Sequence, residues 1–161
     1  MGTSRYGVPD GLELYDTQTS AGWGVRATRD WRVRSKGGDP ANFVGYYRGE
    51  LMTGAALERR YTDKDPKYAI QIGEEDWYID AAGGGRGTWA RFINDPGVPG
   101  GGNVSFVSNV RRREVWVVLT RDLKKGEQLL AEYDPNGSGS EGGGFCFGDS
   151  TVLRFGRTGA D

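Results

Sequence analysis

The chain has 161 residues, among them 28 glycines, 6 prolines, one cysteine and no histidine. Lacking imidazole and a second thiol, it cannot build a Ser-His-Asp triad, most zinc enzymes, a disulfide framework or a four-thiolate zinc site. Lys plus Arg number 21 against 22 for Asp plus Glu, so the net charge of -1 exerts no global pull towards nucleic acid or anionic membrane and partners must be recognised locally.

The length suits one domain with a proper core. The first strand signal is Leu12 to Tyr15, followed by Trp23 to Ala27, Phe43 to Tyr47, Tyr68 to Ile72 and Trp77 to Asp80. Alternation is clearest in Tyr68-Ala69-Ile70-Gln71-Ile72, which predicts a half-buried strand with Tyr68, Ile70 and Ile72 on one face. Thr53 is placed to cap a short helix through Ala55, Ala56, Leu57 and Arg60, and Thr88 to cap a turn through Trp89 and Phe92. Val104 to Val110 and Val115 to Thr120 read as a hairpin around a solvated basic turn, Arg111-Arg112-Arg113-Glu114, and Leu129 to Tyr133 closes the series of strands. Glycine clusters at 83 to 87, 97 to 102 and 137 to 144 have no strict repeat and read as loops or tethers.

The longest aliphatic and aromatic run, Val115 to Leu119, is far short of the roughly 18 residues that span a bilayer. Asp10, Glu13 and Asp16 interrupt the first twenty residues, which lack the apolar block of a secretory signal. The expectation is a nuclear or cytoplasmic chain, neither secreted nor membrane-bound, in which Cys146 is a lone thiol.

Singly, the short motifs are weak. Gly22-Trp23-Gly24 suits any tight turn, Arg91-Phe92-Ile93-Asn94 any buried corner, and Gly126-Glu127 any connection between strands. Their order is informative: Ser20 to Ala27, Tyr47-Arg48-Gly49-Glu50, Tyr68-Ala69-Ile70, Tyr78-Ile79-Asp80-Ala81, Ala90 to Asn94, Asn103, Arg121 to Leu130, and finally Glu132-Tyr133. This ordered set resembles the SET-domain protein lysine methyltransferases over residues 20 to 134.

The resemblance implies a mostly β fold of short sheets with few short helices, in which the segments around Asn94 and Tyr133 cross in a knot-like way. It divides the chain into an N-terminal extension (1 to 19), a SET-like domain (20 to 134) and a glycine-rich tail (135 to 161). It implies that S-adenosylmethionine occupies one cleft while a lysine of a protein or peptide enters from the other, a histone being the family-level expectation for that substrate. Methyl transfer from a sulfonium to an amine needs alignment and charge handling, so it runs without histidine or metal.

By match to the family's motifs, Tyr133 is the catalytic tyrosine and Tyr68 the aromatic of the lysine channel. Trp23, Gly24, Arg91 and Asn94 take the cofactor, glycine at 24 allowing close approach of the main chain. Asp95 stands where the family has histidine, as an anion that repels the cofactor's carboxylate and attracts its sulfonium or amino group. Ala131 stands where an aromatic ring commonly limits methylation, which implies a wide pocket with room for a trimethylated amine. Phe145-Cys146-Phe147-Gly148 stands where relatives carry a zinc cluster that one thiol cannot build; Phe145 or Phe147 is either an aromatic lid over the adenine or part of a Gly-Ser tether. Glu50 and Asp80 read as architectural.

Two other classes of function fit some of these residues. Asp95 and Ala131 suit a catalytically silent SET-like module that binds a peptide or protein, and Arg111-Arg112-Arg113 beside Trp116 suits a β-rich nucleic-acid binder. The neutral net charge and single basic cluster argue against the last, so no direct nucleic-acid or membrane partner is expected.

Overall fold

The computed structural model describes residues 3–34, 40–133, 144–147 and 151–154. A one-turn helix, α1 (Thr3–Tyr6), leads into β1 (Leu12–Asp16), which pairs antiparallel along its full length with β2 (Trp23–Ala27). A short 3-10 turn, Pro40–Asn42, precedes β3 (Phe43–Tyr46), and β4 (Glu50–Thr53) runs straight into α2 (Gly54–Arg60). The chain continues through β5 (Ala69–Gln71), β6 (Trp77–Asp80), a 3-10 turn at Trp89–Phe92, β7 (Val104–Asn109) and β8 (Glu114–Leu119). These strands form two three-stranded antiparallel sheets ordered β3-β8-β7 and β4-β6-β5. A last antiparallel hairpin, β9 (Gly144–Phe147) and β10 (Thr151–Arg154), lies beside β5 and β7.

The predicted mostly β fold of short sheets is what forms, and β2 and β6 keep their predicted bounds. The basic hairpin also forms, from Val104 opposite Leu119 to Asn109 opposite Glu114. Thr53 caps α2 as expected, its hydroxyl accepting from the Ala56 amide. Thr88 makes no such cap: its hydroxyl donates back to the Gly85 carbonyl at 2.6 Å, tightening the glycine loop ahead of the turn. The strand through residue 70 shortens to Ala69–Gln71 and is buried on both faces rather than one. Ile70 and Ile72 enter the main core, while Ala69 packs on the other side with Met52 and Leu57 beneath α2.

Leu129 to Tyr133 does not form the strand expected of it, because the segment changes hydrogen-bond partner every residue or two. The Leu129 amide donates to the Val25 carbonyl at 2.8 Å beside β2. The Ala131 amide donates to the Asn94 carbonyl at 3.0 Å, and the Leu130 carbonyl accepts from the Asn103 and Val104 amides at 2.8 and 3.2 Å. The buried Asn103 side chain completes the crossing, its Oδ1 accepting from the Leu130 amide and its Nδ2 donating to the Gln128 carbonyl, both at 2.8 Å. Three separate parts of the chain therefore hold the segment that ends at Tyr133.

Asp80 sits at the end of β6 with its side chain only 1% exposed. Its carboxylate accepts from the Tyr61 hydroxyl (2.8 Å), Arg60 (3.2 Å) and the Ala82 amide (3.0 Å), while Arg60 reaches on to Glu50. The group ties α2 to the sheet and to the loop behind it. Asp80→Ala is expected to cost about 2 kcal/mol, because the Tyr61 hydroxyl and the Ala82 amide lose their buried acceptor while the partly exposed Arg60 keeps Glu50. Chemical denaturation measures this, and a loss under about 1 kcal/mol would show that the carboxylate only decorates the helix end.

Candidate functional site

The corner at 91–95 is built by the 3-10 turn, which ends where Ile93 becomes extended and the chain meets the 128–131 segment. Asn94 projects from the corner between β2 and that segment. Its Nδ2 donates to the Trp23 carbonyl at 3.1 Å and to Gln128 Oε1 at 3.0 Å, so Trp23, Asn94 and Gln128 are fastened together. With both amide hydrogens committed, Asn94 Oδ1 is left without a partner among the described residues. Trp23 itself is 55% exposed.

The two glycines around Trp23 have different reasons. A Cβ on Gly24 would stand 2.7 Å from Gln128 Oε1 and 2.9 Å from the Thr17 methyl, so this glycine admits packing within the protein. Gly22 has φ +73° and open space where a Cβ would stand, so the main chain is bare at 22 rather than at 24.

Tyr133 reaches the same corner from the other side. Its hydroxyl donates to the Ile93 carbonyl at 2.6 Å, and its amide donates to Asp95 Oδ2 at 2.7 Å. Burial, then the Asp95 charge and the neighbouring Tyr68, push the Tyr133 phenol well above its ordinary range and keep it neutral. Asp95 uses its second oxygen to accept from the Gly97 amide at 2.7 Å, closing a tight turn after the corner. The carboxylate at 95 therefore pins Tyr133 to the corner as well as placing an anion there.

Tyr68 lies within electrostatic reach of Tyr133, with the Arg91 guanidinium 4.7 Å from its ring centre. Arg91 donates from Nη1 to the Ala81 and Ala82 carbonyls, both at 3.0 Å, and its Nε is buried without a partner. The arginine thus braces the Tyr68 side of the site and makes no described contact with Trp23 or Asn94. Ala131 is completely buried inside the core cluster, next to the corner through its amide. The Phe147 side chain lies outside the described residues; only the backbone of its hairpin is described.

One residue of the site escaped the sequence reading. Tyr47 follows β3, is 2% exposed and donates its hydroxyl to the Tyr68 carbonyl at 2.9 Å. Burial, then Tyr133, raises its phenol well above the usual range. The signal was present in Tyr47-Arg48-Gly49-Glu50, but its spacing along the chain gives no hint that it packs against residues 68 and 133.

The crossed β fold thus brings a buried, neutral tyrosine beside an asparagine corner. The family model for the SET domain matches residues 22–134, and the chain belongs to that family. Over 143 residues it is 32% identical to the histone-lysine N-methyltransferase SUV39H2 of Xenopus tropicalis, covering 83% of this chain and 32% of that protein. The human protein of the same name gives the same identity and coverage, so the chain spans about a third of these relatives. Among solved structures, a humanized mutant of the Chaetomium thermophilum Polycomb Repressive Complex 2 bound to the inhibitor GSK126 matches with TM-score 0.58 and 25% identity, over 78% of this chain and 15% of that one. An apo form of that complex with E840A and K852D mutations in Ezh2 matches with TM-score 0.60 and 27% identity, over the same shares of the two chains.

Proposed function

We propose that this chain transfers methyl groups from S-adenosylmethionine to the side-chain amine of a lysine in a protein, with histones the first substrate to try because the SUV39H2 relatives are named for that activity. The observation that carries the reading is Tyr133, whose hydroxyl is fixed on the Ile93 carbonyl one residue from the Asn94 corner. The residues there suit the cofactor: Asn94 Oδ1 offers an acceptor, the exposed Trp23 ring an apolar wall, and Gly22 a bare stretch of main chain. When bound, S-adenosylmethionine supplies a methyl group on a cationic sulfur.

The chain's own residues do the rest. Tyr133 commits its proton to Ile93 and so presents oxygen lone pairs to an incoming amine, orienting it. Tyr47 fixes the backbone of Tyr68, and Arg91 the face of its ring, so the aromatic wall is rigid before substrate arrives. Burial among these rings disfavours an ammonium ion, which lowers the lysine pKa towards the neutral, nucleophilic form. Asp95 places a carboxylate where positive charge must be held.

Isothermal titration with S-adenosylmethionine, followed by transfer of labelled methyl groups to core histones, tests the proposal. Binding with labelled lysine is expected. No binding at millimolar concentration would leave the other reading, a silent module that takes a peptide through the same aromatic wall. Ala131 brings no ring to the amine, so the expected product under enzyme excess is trimethyl-lysine, and mass spectra showing only the monomethyl form would overturn that part.

A further inference from the structure

Next to the Tyr133 corner, a cavity of about 500 Å³ opens between the end of β3, the start of β4 and the glycine loop at 83–86. It shares Tyr47 with the site described above, whereas Trp23, Tyr68, Asn94 and Tyr133 are absent from its lining. Its walls carry three exposed arginines, Arg48, Arg86 and Arg113. None of the three side chains hydrogen-bonds or ion-pairs with a described residue.

Two of these guanidiniums are already positioned over aromatic rings. Arg48 lies 4.2 Å from the ring centre of Tyr46 and Arg113 lies 4.1 Å from that of Trp77. A guanidinium held over a ring makes no hydrogen bond there, so its fork of N–H donors keeps its capacity for an oxyanion. Arg113 is also one of two described non-glycine residues with positive φ, at 54°, so the turn that presents it is held in a sparsely populated conformation.

The acidic residues of the lining do not cancel these charges. Asp80 and Glu50 are engaged by Arg60, and Glu114 faces Arg112 at 3.9 Å and accepts from the Trp116 indole at 3.3 Å. Counting those partners, five guanidiniums stand against three carboxylates. The glycine loop adds donors of its own: the amides of Gly83, Gly85 and Arg86 have no acceptor among the described residues. The neighbouring amides of Gly85 and Arg86, with that of Gly83 close by in the loop, stand beside unpaired arginines in a concavity suited to an oxyanion.

We infer that this cavity binds a phosphoryl group, carried either on a small molecule or on a phosphorylated protein side chain. Unpaired guanidinium forks and loop amides match the tetrahedral oxygens of phosphate, and the volume leaves space for whatever bears it. The inference rests on this cavity alone and stands whether or not the chain transfers methyl groups.

Calorimetric titration of the intact chain, without S-adenosylmethionine and at ionic strength fixed with sodium chloride, tests it. The probes are inorganic phosphate, pyrophosphate and a phosphoserine peptide with its unphosphorylated twin. Saturable binding of at least one phosphorylated probe is expected; a preference for pyrophosphate assigns the small-molecule source, and a preference for the phosphopeptide the protein source. Arg48→Ala combined with Arg86→Ala should weaken binding at least tenfold, while Arg111→Ala, on the basic turn outside this cavity, should leave it unchanged. No saturable binding above the chloride background, equal binding of the unphosphorylated peptide, or an equal loss in Arg111→Ala would each overturn the inference.

Discussion

Tyr133→Phe is expected to lower methyl transfer about a hundredfold, the scale on which a preorganised hydroxyl contributes to catalysis. The ring keeps its packing and the lost hydrogen bond to the Ile93 carbonyl costs only about 1 kcal/mol of stability, so the variant should fold. Single-turnover rates separate this from altered binding: transfer falls while S-adenosylmethionine affinity holds. An unchanged rate would remove Tyr133 from the mechanism.

The electrostatics of the same residue fix the sign of a pH effect. Burial and Asp95 raise the Tyr133 phenol above its ordinary value near 10, so it remains protonated throughout the neutral and mildly alkaline range. Activity should therefore climb with pH as the incoming amine loses its proton, with no opposing limb from Tyr133. Stability runs the other way at the alkaline end. Tyr47 and Tyr133 are raised and Tyr61 is pushed up to about 12, so their contribution is full below about pH 10, where unfolded phenols are also neutral. Above that pH the unfolded chain ionises first, and the midpoint of thermal unfolding should drop as pH rises towards 12. A midpoint that stays flat across that window would show that these phenols are not protected in the fold.

Much of the architecture was legible because several strands announce themselves with aromatic or β-branched residues and end at charged or glycine-rich breaks. Trp23 to Ala27 and Trp77 to Asp80 are such cases. β4 was not legible: Glu50-Leu51-Met52-Thr53 has little β-branching and passes without a loop into α2, so its strand character comes from pairing with β6. The 129–133 segment carries strand-like residues, yet tertiary partners divide its hydrogen bonds between β2, the 94 corner and Asn103. The site follows the same division. Motif order pointed to Asn94 and Tyr133, which the fold does bring to one corner. The inward turn of Tyr47, the commitment of Arg91 to Ala81 and Ala82, and the filling of Gly24 by Gln128 depend on contacts between distant parts of the chain, which local pattern does not encode.

The crossing itself should prove the most sensitive feature of the fold, and Asn103 is where to test it. Fully buried, its side chain stands in for a missing strand by accepting from Leu130 and donating to Gln128. Asn103→Ala leaves the Leu130 amide and the Gln128 carbonyl, both half-buried, unpaired and is expected to cost about 2 kcal/mol. Asn103→Asp separates hydrogen bonding from volume: it keeps the acceptor for Leu130, loses the donor to Gln128 and brings a second anion to within about 3.5 Å of Glu127 Oε2. The aspartate should therefore be as damaging as alanine despite its nearly identical shape, whereas a residue that merely filled space would tolerate it. Because Leu130 is clamped three residues before Tyr133, whatever fraction of either variant folds at low temperature should also transfer methyl groups more slowly. Wild-type turnover in a folded Asn103→Ala protein would show that the position of Tyr133 is set by Asp95 and Ile93 alone.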